Sequence, residues 1–178
     1  MRIIAGAARG RRLMVPDDYS IRPTTDRVRE NLFNILAFRI EGVRFLDLFC
    51  GVGANGIEAL SRGAAHATFI DASESALRLT RRNLQHCQVA ERSICLHLRL
   101  PGELPLAVAP FALVFADPPY DYDDYQALLL ALQQRQCLAP GSTVIIETNH
   151  KCMRPETVES LNQTRRKRYG ETALTFYA

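Results

Sequence analysis

The stretch VRFLDLFCGVGANGIEALSRG, residues 43–63, constrains this chain more than any other. An apolar run carries an acid near its end, Asp47. Gly51, Gly53 and Gly56 follow as G-x-G-x-x-G, and the pattern then turns helical. A continuous apolar strand that runs into a glycine turn and a helix opens a parallel βαβ unit, because a strand covered on both faces shows no polar alternation. The next apolar run, HATFID, ends in Asp71, twenty residues after Gly51. That is the spacing of a nucleoside-binding unit whose second acid meets ribose hydroxyls.

The rest of the chain extends the pattern. Residues 2–15 read as two short strands around GAARGR, a hairpin. Pro23 ends an extended stretch, Thr24 or Thr25 can cap, and Val28, Leu32, Ile35 and Leu36 recur at helical spacing. GIEALSRG reads as a helix closed by Gly63. SESALRLTRRNLQHC starts at Ser73 or Ser75, and SICLHL (93–98) is a third strand. FALVFADPPY (111–120) is a fourth strand with a sharp Pro-Pro exit. DDYQALLLALQQRQCL is a helix, APGSTVIIE a turn and a fifth strand, and TRRKRYG and ETALTFYA two more strands. Strands and helices alternate and then give way to strands, which predicts a doubly wound α/β sheet with an antiparallel end.

Ligands of such sheets sit at the carboxyl ends of the strands, and three of those ends carry an acid: Asp47, Asp71 and Asp117. A dinucleotide would lay its pyrophosphate over the glycine loop and against the helix N-terminus, where Asp47 would repel it. S-adenosylmethionine has ribose and adenine but no phosphate, and its sulfonium and ammonium suit an acid. The glycines let the backbone approach such a ligand closely. At the fourth strand end stand Asp117, Pro118, Pro119 and Tyr120. The prolines fix φ and remove two donors, which leaves a carboxylate and the Pro118 carbonyl to receive the hydrogens of an amine nucleophile. Its lone pair is thereby aimed at a methyl carbon, in a reaction where alignment supplies much of the rate. Tyr120 offers a face on which a flipped base can stack.

Composition narrows the class. No apolar run approaches the roughly 20 residues of a membrane span, and MRIIAGAARGRRL lacks a signal-peptide core, so the cytoplasm is the expected compartment. The five cysteines are widely spaced with no C-x-x-C pair, and the four histidines show no H-E-x-x-H, which speaks against a disulfide framework or a metal. Of 22 basic residues only Lys151 and Lys167 are lysine, and arginine is the side chain that pairs bidentately with phosphate and stacks on bases. Arg2, Arg9, Arg11 and Arg12 crowd the N-terminus, Arg22, Arg27 and Arg29 follow, and Arg165-Arg166-Lys167-Arg168 forms a second run. Two such clusters suggest a nucleic-acid footprint.

With residues 47–56, Asp71 and 117–120 in hand, the chain resembles class I S-adenosylmethionine-dependent methyltransferases. MRIIAG, RPTTDRVRENLFNIL, LDLFCGVGANGIEALSRGA, DPPY and RYGETALTFY look like the RsmD family, bacterial enzymes that methylate the exocyclic N2 of a guanine in 16S ribosomal RNA. The resemblance runs from Met1 to about Tyr177. It implies a seven-stranded Rossmann-like sheet with a reversed last strand, an N-terminal RNA-contacting hairpin extension over residues 1–20 and a methyltransferase domain over 21–178. It also implies 16S rRNA in the small subunit or its precursor as partner; S-adenosylmethionine is the expected cofactor, with no metal, and a monomer is expected.

Carried onto this sequence, Asp47, Phe49, Gly51 and Gly53 bind the cofactor's methionine end, and Asp71 and Ala72 its ribose. Asp117 and Pro118 hold the amine, with Pro119 and Tyr120 completing the catalytic motif. Arg2, Arg9, Arg11, Arg12, Arg22 and Thr24 meet RNA, while Arg27 and Arg29 stand near RNA or structural acids. Two departures stand out. Asn55 replaces a hydrophobic residue and is suited to capping. CLHLRLPGEL, after the third strand, puts Leu98, Arg99 and Leu100 where the family has an acidic or polar stretch, leaving either a main-chain group to read adenine or weak affinity. DNA adenine-N6 or protein glutamine methylation, and a non-catalytic RNA-binding assembly factor, are the alternatives that D-P-P-Y and the odd third-strand end respectively leave open.

Overall fold

The computed structural model describes residues 1–16, 26–107, 109–152 and 154–178. In chain order they form α1 (Asp26–Ile35), β1 (Arg44–Leu48), α2 (Ala54–Ser61), β2 (His66–Asp71), α3 (Glu74–His86), β3 (Ser93–His97), β4 (Phe111–Ala116), α4 (Tyr125–Gln134), β5 (Leu138–Asn149), β6 (Thr157–Val158), β7 (Leu161–Tyr169) and β8 (Thr172–Tyr177). One sheet runs β3-β2-β1-β4-β5-β8-β7-β6. β1 to β5 are parallel, and β8 enters antiparallel between β5 and β7. The reversed last strand expected from the sequence is β8. The two-residue β6 is an addition to the seven longer strands, too short to leave a periodic signal.

The period-two alternation of β1 divides the core. Phe45 faces the layer of α1, α2, α3 and the N-terminal segment, with Phe69, Phe115 and Ile145 beside it. Leu46 and Leu48 face α4, with Val114, Ile146 and Tyr177. Parallel strands covered on both sides need such continuous apolar runs.

All eight residues of α2 are buried, because the N-terminal segment covers its outer face. That segment closes through Arg2↔Arg12 and the bonds Gly10 N to Ile3 O (2.8 Å) and Ile3 N to Arg11 O (3.0 Å). It is the expected hairpin, reduced to an isolated bridge. Ile3, Ala8 and Leu13 are buried in the same cluster as α2, so the hairpin is a third layer on that face. Its backbone donors would be stranded against a helix without acceptors. Glu58 and Ser61, one turn apart on α2, supply them. The Glu58 carboxylate accepts from Ile4 N (2.8 Å), Ala5 N (3.0 Å) and Arg62 Nε (2.6 Å), and Ser61 Oγ accepts from Ala8 N (2.9 Å). At Gly6, with φ at +81°, a Cβ would lie 1.8 Å from Ser61 O, so only glycine fits the approach.

Arg29 explains a motif the sequence left open. It is fully buried, donates to Asp26 (2.7 Å) and to Arg2 O (2.6 Å), and lies 3.9 Å from Glu58. It is a structural arginine that ties α1 to the hairpin, whereas Arg27 is exposed. Asn55 does not cap α2: the N-cap is Gly53, with no side-chain bond, and Asn55 is buried inside the helix. Ser73 does cap α3, accepting from Ala76 N at 3.2 Å.

Removing Glu58 uncovers the buried Arg29 charge and two hairpin donors together. Glu58→Ala is expected to cost on the order of 3–5 kcal/mol, read as a lowered denaturant midpoint. Limited proteolysis should then cut within residues 1–13 before any other site.

Candidate active site

The carboxyl ends of β1, β2 and β4 lie side by side in the sheet, which brings Asp47, Asp71 and Asp117 to one edge. Each acid meets the backbone differently. Asp47 is only 1% exposed, and its Oδ2 accepts from Gly56 N at 2.8 Å. It lies beneath the glycine loop. Burial pushes its carboxyl well above the ordinary range; the Gly56 N–H opposes this, and the charges of Asp117 and then Asp71 add to it. Asp47 therefore feels both of the other acids across the edge.

Asp71 is half-buried and bridges the loop to β2. Its Oδ2 accepts from Gly51 N and its Oδ1 from Ser73 N, both at 2.8 Å. A carboxylate has about four acceptor sites, so lone pairs remain for hydroxyl donors. Ala72 beside it is exposed, and its carbonyl meets His97 Nε2 at 2.9 Å.

The glycines have separate tasks. A Cβ on Gly56 would lie 2.3 Å from the Phe69 ring, and one on Gly53 would lie 2.7 Å from Thr80 Cγ2; these two let α2 and α3 pack. Gly51, at φ +55°, would meet nothing within 4 Å. It is the glycine of the three with free space before it. Phe49 adopts φ +54° without being glycine, a conformation that costs energy and tends to be retained where geometry matters. Its ring meets Tyr122 edge-on at 5.2 Å, Tyr122 meets Tyr125 at 5.1 Å, and Arg154 lies 3.4 Å over Tyr125. This aromatic chain joins the glycine loop to the segment after D-P-P-Y.

In that motif Asp117 is half-buried, Pro118 is buried, Pro119 is exposed and Tyr120 stands 85% exposed. The segment is anchored by Asp117 N to Leu48 O (3.3 Å) and by Tyr122 N to Pro119 O (3.0 Å). An exposed aromatic ring held beside a carboxylate at a strand end can present and align a planar, amine-bearing ligand.

Two residues invisible as site residues in the sequence hold the loop from α3. Thr80 Oγ1 donates to Gly51 O (2.7 Å), and Asn83 Nδ2 donates to Val52 O and to Met14 O (both 3.0 Å). Their signal was two polar residues three apart on a helix face otherwise marked by Leu77 and Leu84, all four of which are buried.

Of the expected RNA residues, those described lie in the N-terminal hairpin. Arg2, Arg9 and Arg12 are exposed on the hairpin layer. Arg11 is tied to the end of α3, through His86 O and Gln88 Oε1. Arg22 and Thr24 lie outside the described residues. Among the described residues no group of His, Cys, Asp and Glu could hold a metal ion, and no helix is long and apolar enough to cross a membrane.

Two outcomes follow. Gly51→Asn should leave stability nearly intact, since Asn tolerates left-handed φ and meets open space. Gly56→Ala should lose on the order of 1–3 kcal/mol by overpacking against Phe69; paired thermal melts check both. For Asp47 the folded-state pKa is raised, so the folded state holds its proton more tightly than the unfolded chain. The ionised group then costs stability, increasingly as pH rises above the unfolded value near 4. Asp47→Asn keeps an acceptor for Gly56 N without the charge. Its melting temperature should exceed wild type at pH 8, and the gap should narrow toward pH 5.

The match to known proteins is extensive. The family model described as conserved hypothetical protein 95 matches residues 1–178. A putative rRNA methyltransferase, YlbH, of Bacillus subtilis is 38% identical, covering 99% of this chain and 98% of that one. The ribosomal RNA small subunit methyltransferase D of Escherichia coli K12 is 35% identical over 99% and 89%. The solved structure of the putative methyltransferase yhhF from Escherichia coli superposes with a TM-score of 0.88 at 36% identity, over 99% and 96%. An RNA methyltransferase from Salinibacter ruber in complex with S-adenosyl-L-homocysteine shares the fold, with a TM-score of 0.67 at 16% identity over 87% and 92%. With its whole length matched, the chain belongs to the conserved hypothetical protein 95 family, the RsmD family of methyltransferases.

Proposed function

We propose that this protein transfers a methyl group from S-adenosylmethionine to the exocyclic N2 amine of a guanine in 16S ribosomal RNA, within the small subunit or its precursor. The observation that carries the reading is the convergence of Asp47, Asp71 and Asp117 on one strand edge around the open space before Gly51. The charges of Asp117 and Asp71 add to the raised proton affinity of the buried Asp47, and a ligand bearing a sulfonium and an ammonium relieves that repulsion where a pyrophosphate would worsen it. The small-subunit RNA is the substrate named in the methyltransferase D relatives, and the arginines left exposed on the hairpin, Arg2, Arg9 and Arg12, suit its phosphates.

S-adenosylmethionine, when bound, supplies an electrophilic methyl carbon. The chain's residues do the rest. The remaining acceptor capacity of Asp71 serves the ribose hydroxyls, and Gly51 admits the ligand where a side chain would stand. Phe49 and Gly53 shape the loop at the methionine end, with Asp47 acting from below, and Ala72 lies beside the ribose. Leu98 and Leu100 follow β3 as half-buried apolar residues packed toward the α4 side of the sheet. They offer adenine an apolar wall, with the main chain of this stretch as the source of polar contacts.

At the other side of the site, Tyr120 stacks on the target base. The guanine N2 amine is conjugated with its ring and is a poor nucleophile. Its hydrogens must be held, by the Asp117 carboxylate and the Pro118 carbonyl, for its lone pair to turn outward. The Asp117 charge also favours the positive charge that develops on nitrogen.

The decisive experiment incubates purified protein with labelled S-adenosylmethionine and undermodified small subunits, then maps the labelled nucleotide. Label on a guanine N2 is expected; label on adenine or on protein alone would refute the assignment. Asp117→Ala should slow single-turnover methylation by roughly 10²–10⁴-fold. Asp117→Asn, which keeps an acceptor without the charge, should fall between Ala and wild type, with cofactor affinity within a few-fold in both. A wild-type rate for Asp117→Ala would remove Asp117 from the mechanism.

A further inference from the structure

Strand β7 carries four consecutive cations, Arg165, Arg166, Lys167 and Arg168, that neither the cofactor site nor the hairpin uses. Beyond Asn162 its outer edge is not paired by β6. Charged side chains on an edge strand ordinarily block edge-to-edge association, and lysine is the usual choice. Here three of the four are arginine.

The register places this run relative to the chemistry. Ala116 is level with Ile146, Ile146 with Thr175, and Thr175 with Arg166. Lys167 and Arg168 therefore stand at the height of Asp117 and just above it, three strand spacings or about 14 Å across the sheet. β7 lies on the β5 side of β4. The hairpin packs on α2 and α3, which contact β1, β2 and β3 on the other side, and is tied to α1 through Arg29.

The side chains divide by face. Arg166 donates to His150 O (2.7 Å) and Cys152 O (3.1 Å), which fixes the turn after β5 that presents the exposed Lys151. Arg168 meets Gly170 O and lies 3.8 Å from Glu171. Arg165 and Lys167, on the opposite face, make no ion pair with any described residue.

We propose that β7, with Lys151 beside it, is a second phosphate-binding surface for the substrate RNA. It holds the strand a few nucleotides from the target base, on the side of the catalytic motif away from the hairpin. The proposal rests on the RNA-methylation reading above. Arginine pairs bidentately with phosphate, and each phosphate neutralised releases counterions.

The test uses the full chain with Arg165→Gln and Lys167→Gln combined, substitutions that keep the edge polar. Binding to protein-free 16S RNA is measured across a salt series, alongside methylation of undermodified small subunits and calorimetry with S-adenosylmethionine. Two lost phosphate contacts should flatten the slope of log affinity against log salt by roughly 1.4–1.8. KM for subunits should rise on the order of tenfold, with kcat and cofactor affinity unchanged.

An unchanged salt slope overturns the proposal. If the variant also sediments as aggregates, β7 is only a protected edge. If KM rises on assembled particles while the slope on protein-free RNA is unchanged, the strand meets an acidic ribosomal protein instead, which equally overturns it. Failure of the wild type to methylate any RNA counts against the function reading, while the binding slopes still decide the role of β7.

Discussion

Two contacts between buried or half-buried carboxylates and loop amides organise this molecule: Asp47 with Gly56 N, and Asp71 with Gly51 N. A glycine loop alone is the floppiest element a chain can carry, since glycine loses the most freedom on ordering. Pinning it at both ends from two adjacent strands turns it into a fixed wall. Charged acceptors make stronger hydrogen bonds than neutral ones, which helps offset that entropy. Burying Asp47 is costly, because among the described residues no cation pairs with it. Such a cost is tolerated where the same charge serves a ligand.

From this loop the order propagates outward through α2. One end of the helix begins at the loop, and the other holds the hairpin through Glu58 and Ser61. Asn83 makes a parallel link, with Val52 of the loop and Met14 of the N-terminal segment on the same amide. The hairpin arginines and the glycine loop are thus mounted on one helix. Small residues at Gly56 and Ala59 bring that helix close to the sheet, and its polar residues face outward into a layer that needs acceptors.

The charge distribution follows a simple division. Acids gather at the centre of the carboxyl edge, where the proposed reading brings a cationic methyl donor and an amine nucleophile together. Cations stand away from it, on the hairpin layer and along β7. A polyanion laid across such a surface is attracted at its flanks and held off the acids themselves, so only an uncharged base is suited to enter between them.

Much of this was legible in the sequence. Apolar runs gave β1, β2 and β4 nearly to the residue, because strands buried on both faces have no alternative pattern. The acids at 47, 71 and 117 were expected on one edge and stand there, because a parallel sheet delivers every strand end to the same edge. The aromatic chain from Phe49 through Tyr122 to Tyr125 was not legible, since ring contacts between loops depend on distances that no local pattern encodes. Nor were the opposite fates of Arg29 and Arg9. Both are arginines in basic stretches near the N-terminus. One is sealed against Asp26 and Glu58, and the other faces solvent, because the hairpin folds over α2 and covers only the first. The sequence by itself determined the strand order of chemistry along the chain and the residue types at each strand end, through periodicity and backbone stereochemistry. Only the tertiary structure decided which charges are buried, which glycines face packing and which face open space, and where the cations of β7 stand relative to Asp117. Burial and register arise from contacts between segments far apart in sequence.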